Sequence, residues 1–189
     1  MNRLLAASIL LIIGSNAIAQ SKAIGTFQST NRRRNHQARI VFKTKPFQSS
    51  NHAITLADQR YLKRHQTTLS GTAALVTKID GRDPLGVDGT IPRVEIRSVL
   101  LSFDGVQVQV PRRLYSDCYN PNFGKNYLAT KFGDDGESLL VFMAGGDAAG
   151  SYQVIWVLRK DGHHSRFASA CSDCDYTGFL PFLRDEQDL

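Results

Sequence analysis

The 189-residue chain lacks most of what would place it quickly. Three cysteines are too few for a small fold built on disulfides, and the 15 glycines and six prolines follow no collagen-like period. There is no G-x-S-x-G elbow, no H-E-x-x-H helix and no Walker-type glycine loop, so the commonest signatures of hydrolases, metalloproteases and nucleotide-binding enzymes are missing. Acidic residues are nearly absent from the first third: between Gln20 and His65, Asp58 stands against ten Lys and Arg. Apolar runs are short, and the longest cannot span a bilayer, which takes roughly 20 residues. What remains, 42% hydrophobic and 21% charged residues, is the composition of a globular protein of one domain plus some extra chain.

That longest run lies at the N-terminus. Arg3 precedes Leu4–Ile13, which is interrupted only by Ser8; Gly14, Ser15 and Asn16 break it, and Ala17-Ile18-Ala19 supplies the small-x-small pattern of a cleavage site. Residues 1–19 therefore read as a secretory signal peptide, and the mature chain is expected to begin at Gln20. The expected location is secreted or periplasmic, with no transmembrane segment after cleavage. Nucleic acid is not an expected partner there, despite a formal net charge of +6.

The charge is unevenly distributed. Residues 20–65 carry +9 and residues 66–189 carry −4. Residues 20–38, polar and containing Arg32-Arg33-Arg34, read as a flexible basic arm ahead of a single β-rich domain over 39–189. Anionic surfaces or an acidic protein are the partners that such a segment would attract. Deleting 20–38 is expected to lower retention on an anionic matrix.

The body reads as mainly β. Arg39–Lys45 and Ala73–Ile79 are candidate strands. Val94–Phe103 and Val106–Val110 flank Asp104-Gly105, a two-residue connection suited to a type I′ hairpin. Ser138–Met143 and Tyr152–Leu158 form a second pair, with Tyr152, Val154, Trp156 and Leu158 on one face, and Asp161-Gly162 leads into His163–Ala168. Thr55 followed by Asp58 resembles an acidic capping box for a short helix near 56–65. About seven short, turn-linked strands predict an antiparallel sandwich or a partly open barrel.

Few constellations could carry chemistry. Cys171-Ser172-Asp173-Cys174 has C-x-x-C spacing, with Cys118 far upstream. Outside the cytoplasm these are disulfide candidates, either Cys171–Cys174 or Cys118 with one of them. A thiol-exchange site needs a helix N-terminus or positive charge to stabilise the thiolate, whereas Asp173 and Asp175 act the other way. Zinc needs about four ligands, and one C-x-x-C with His163 or His164 is not a metal signature. Asp80, Asp83 and Asp88 could suit calcium but depart from the EF-hand spacing and read as turn residues, so no metal or cofactor is expected. The stretch Pro111–Asn122 (PRRLYSDCYNPN) permits two readings. Tyr115, Asp117 and Tyr119 could form a binding edge, or the tyrosines could pack inward while Asp117 makes local turn bonds. Asp147, in the following GDAAG loop, and Arg32, Arg33 and Arg34 complete the candidate binding residues.

The segment from about Ile91 to Phe167 resembles a group of uncharacterised secreted bacterial β-rich proteins. The likeness is carried by VPRRLYSDCYNPN and MAGGDAAGSYQVIWVLRKDG. It implies a β-rich secreted domain and transfers no catalytic residue. The expected function is a non-enzymatic binding or accessory protein. The alternatives are a thiol–disulfide oxidoreductase at Cys171/Cys174, a small secreted hydrolase, and an inhibitor or immunity-type protein that binds another secreted protein.

Overall fold

Period-two alternation builds the two main sheets. The computed structural model describes residues 25–33, 35–65, 67, 75–124, 126–146 and 150–170. In chain order the elements are β1 (Thr26–Arg33), β2 (His36–Pro46), β3 (Ile54–Leu56), α1 (Gln59–Arg64), β4 (Val76–Ile79), β5 (Val94–Phe103), β6 (Val106–Gln109), β7 (Pro121–Asn122), β8 (Leu128–Phe132), β9 (Ser138–Gly145), β10 (Tyr152–Arg159) and β11 (Ser165–Ala170). The first sheet runs β1-β2-β5-β6. The second runs β11-β10-β9, and the far side of β9 is shared by β8 and β7. All of these pairings are antiparallel, and a small β3–β4 ribbon lies beside them.

The sheets pack face to face as a sandwich. Ala38, Ile40 and Phe42 of β2 and Val99, Leu101 and Phe103 of β5 meet Leu139, Val141 and Met143 of β9 and Tyr152, Val154, Trp156 and Leu158 of β10, all buried. Trp156 satisfies its indole N–H by donating to the Leu114 carbonyl at 2.8 Å. The two hairpins expected around Asp104-Gly105 and between β9 and β10 are both formed. Asp104 and Gly105 have φ of 48° and 83°, as a type I′ turn requires.

Three expectations need correction. The first concerns residues 26–38, which form not a flexible arm but β1 and the start of β2, paired from Thr26↔Lys43 to Arg33↔His36. Phe27 stacks on Phe123 with ring centroids 4.1 Å apart, and Ser29 bonds Thr130 across to β8 at 2.6 Å. Second, there are eleven strands among the described residues rather than about seven. Third, Thr55 belongs to β3, and the helix cap is Asp58 itself, whose side chain accepts from the Tyr61 N–H at 2.7 Å. Residues 1–24 and 171–189, with Arg34, Asp147, Cys171 and Cys174, lie outside the described residues.

Asn120 locks the loop between β6 and β7 to the rest. It has φ of 47°, a left-handed conformation that asparagine tolerates better than most residues. Its Oδ1 accepts from the backbone N–H of Arg93 and of Val94, and its Nδ2 donates to the Gly86 carbonyl at 2.8 Å. Its own carbonyl accepts from the Gly146 N–H. Gly86 is held close because a Cβ there would overlap the Tyr119 carbonyl oxygen. Asn120→Ala removes three side-chain bonds and strains the backbone, so urea unfolding should show a loss of about 3 kcal/mol. Asn120→Gly relieves only the strain and should recover about 1 kcal/mol of that loss; equal stability of the two variants would remove the backbone contribution.

Candidate anion-binding face

The side of the first sheet turned away from the core is defined by register. Reading across the strands, Thr30, Arg39, Ser102 and Gln107 form one row, and Gln28, Val41, Leu100 and Gln109 the next. Thr26, Lys43 and Ser98 form a third, and Arg32 sits opposite Gln37. The residues between them, Ile40, Phe42, Val99, Leu101 and Phe103, point into the core. Arg97 has no partner on β2 because the register shifts between Lys43 and Thr44; this bulge leaves Arg97 exposed beside Ser98.

Arg32, Arg39, Lys43 and Arg97 are exposed, and none forms an ion pair among the described residues. No carboxylate occupies the three rows that hold Arg39 and Lys43 and the residues between them, while Asp104 lies opposite Gln37 at the end of the Arg32 row. Arg39 donates to the Gln28 side chain at 2.6 Å, which holds the guanidinium over the sheet with its other N–H groups unused by any described residue. The acids at the two ends are already engaged. Asp104 accepts from the Gln37 backbone N–H, bonds the His36 ring and meets Lys160, and these contacts depress its carboxyl to about 2, the backbone bond most strongly. At the other end Glu95, buried, bonds Lys45 at 3.0 Å and His52 at 3.3 Å.

The Arg32-Arg33-Arg34 run does not act as one patch, because a strand sends neighbours to opposite faces. Arg32 faces outward, whereas Arg33 reaches the second sheet, donating to the Gly133 carbonyl at 3.0 Å and pairing with Asp134 at 2.6 Å.

The other candidates go elsewhere. Tyr115 and Tyr119 are buried, as in the packing reading of that loop, and burial pushes the Tyr119 hydroxyl up. Asp117 lies in a turn, but its carboxylate reaches beyond it to pair with Arg166 of β11 at 2.6 Å, both side chains being largely covered. Burial would lower the Arg166 pKa, but the bond to Asp117 and the neighbouring charges outweigh it. Cys118 is buried and forms no disulfide with a described residue, and desolvation pushes its pKa up to about 12. Asp80 bonds His52 at 2.8 Å, and that bond is the largest of the effects holding its carboxyl low; Asp83 pairs with Lys78. His163 is exposed beside Asp161, and His164 bridges the Arg159 N–H and the Gln109 carbonyl.

Sequence reasoning missed the cluster in which the covered His52 ring stands between the half-exposed Asp80 and the buried Glu95, with Phe47 stacked on it at 4.4 Å. A signal was present in Glu95, a charge next to the core-facing Ile96 and Val94. Both ring nitrogens face carboxylates, so the ring has no free nitrogen with which to act as a base on a substrate. It clamps the β3–β4 ribbon to β5.

No family model, curated protein or solved structure matches the chain. Two outcomes follow from the electrostatics. In a Cys171→Ser/Cys174→Ser variant, Cys118 should resist a thiol reagent at pH 8 until denaturant is added; rapid native reaction would show an open site. Asp80, Asp104, Asp134, Asp135 and Asp161 all have lowered pKa values when folded. Their stabilisation is present above the unfolded Asp value of about 3.9 and is lost as pH falls through the folded values. The urea midpoint should therefore drop between about pH 4 and pH 2, and less steeply in Asp104→Asn.

Proposed function

We propose that this is a secreted or periplasmic, non-enzymatic binding protein that holds anionic material against the outer face of its first sheet. The observation that carries the reading is the placement of Arg32, Arg39, Lys43 and Arg97 on one exposed sheet face whose only acids among the described residues, Asp104 and Glu95, lie at its ends and are engaged by other groups. The residues that support export are Leu4–Ile13 and Ala17-Ile18-Ala19. Among the described residues no helix is long and apolar enough to cross a membrane. Export also favours a disulfide, either Cys171–Cys174 or Cys118 with one of them. The resemblance of residues 91–167 to secreted β-rich proteins fits the same reading.

A second reading, an inhibitor that pairs with another secreted protein, has one observation in its favour. Among the described residues β11 is the outermost strand of the second sheet, and its Phe167 is 66% exposed. A clean monomer with no co-purifying protein would count against it.

Deletion of residues 20–38 would remove β1 and confuse folding with binding, so the test is charge reversal at surface positions. Arg39→Glu/Lys43→Glu should elute from an anionic resin at clearly lower salt than the parent. The dependence of log affinity on log salt should fall by about one for each cation removed, with reversal adding to that. Lys78→Glu, at a paired site on β4, serves as the control. An unchanged elution profile for the double variant would overturn the proposal.

A further inference from the structure

We infer that the ligand of this face is an acidic polysaccharide lying across the strands. The inference rests on the proposed anion-binding function and narrows it to one chemistry. The cations are sparse. Arg39 and Lys43 are four residues apart on β2, about 13 Å at strand rise. A chain that crosses the strands along one row therefore meets one cation, Arg39 or Lys43, and its other contacts must come from polar side chains, which the hydroxyls of a sugar polymer can partner and a polyphosphate cannot.

Along each row that carries a cation the other outward side chains are hydroxyl or amide, while Val41 and Leu100 lie between the Arg39 and Lys43 rows. The row Thr30–Arg39–Ser102–Gln107 sets a cation between two hydroxyls and ends on a carboxamide. Gln28 and Gln109 close the next row, and Thr26 and Ser98 flank Lys43. Side chains of these types both donate and accept, which is what sugar hydroxyls require. Strands lie about 4.8 Å apart, close to the length of one sugar ring, so an extended chain crossing along the Arg39 row would meet a new polar side chain at each strand.

The face is ill suited to lipid. Peripheral membrane binding adds buried apolar or aromatic side chains to charge. Here no aromatic side chain occupies the rows, Leu100 is 43% exposed, and Val41 is covered to 6%. The same lack of an aromatic platform leaves a neutral glycan without a stacking surface, so the charge must contribute to recognition.

The test uses the signal-free full chain with four probes: polygalacturonate, dextran, polyphosphate and phosphatidylglycerol vesicles. Polygalacturonate should bind in a salt-sensitive way and dextran should not bind. Ser102→Ala/Gln107→Ala leaves every charge in place. It should weaken polygalacturonate binding about tenfold while retention on polyphosphate stays unchanged. Arg39→Glu/Lys43→Glu should weaken both. If the Ser102/Gln107 variant binds polygalacturonate like the parent, or if vesicles or polyphosphate bind the parent at least as tightly, the polysaccharide assignment fails while the anion-binding reading stands. If the Arg39/Lys43 variant changes nothing, the anion-binding reading fails with it. Far-UV circular dichroism and urea midpoints of the variants separate lost binding from lost fold.

Discussion

The pairing of β1 with β2 is the constraint on which the rest of the surface depends. Eight consecutive residue pairs turn a polar, basic stretch into part of a rigid sheet. β1 brings one aromatic side chain, Phe27, to that pairing, and its remaining anchors are polar. Ser29 and Asn31 bond Thr130 of β8, and Arg33 reaches Gly133 and Asp134. β1 thus joins the two sheets at one side through side chains, where no backbone ladder continues. Each bond is modest in net energy, so order in β1 follows from the number of contacts formed together.

Once β1 is fixed, alternation decides the destination of each charge. Arg33 is spent on the seam between the sheets, while Arg32, one residue earlier, is left on the outside. The same rule on β2 buries Ala38, Ile40 and Phe42 and exposes Arg39 and Lys43. Out of the +9 segment, Arg32, Arg39 and Lys43 come to lie on one face at set intervals.

Much of the fold was legible because β5, β6, β9 and β10 alternate clearly and flank glycine turns. β1 was not, since one apolar residue in eight gives no periodic signal and its partners are about a hundred residues away. β3 and β7, of three and two residues, are too short for any period to appear. The cap at α1 was misplaced because Thr55 and Asp58 are both credible cap residues, and only the pairing of Thr55 with Lys78 in the ribbon removes the first. The basic segment was visible as a composition but its geometry was not. A charge count cannot say which of Arg32 and Arg33 faces solvent until the strand and its register are known. Tyr115 and Tyr119 show the reverse case, since aromatic residues in a turn-rich loop look available until their burial is seen.

The surplus of positive charge on the first sheet is a matter of placement as much as of number. Elsewhere in the described body the acids are taken up locally: Asp80 by His52, Asp83 by Lys78, Asp117 by Arg166, Asp135 by Arg159 and Glu137 by Lys160. The exposed ones among these pairs add little stability, but all of them cancel field over the surfaces where they occur. The outer face has no such cancellation. Its cations also repel one another weakly, because Arg39 and Lys43 are further apart along β2 than the roughly 8 Å over which physiological salt screens exposed charge. A sheet can therefore keep them unpaired at small cost. An anionic chain laid across either would gain from it without having relieved a strain, so its attachment would be reversible and set by ionic strength.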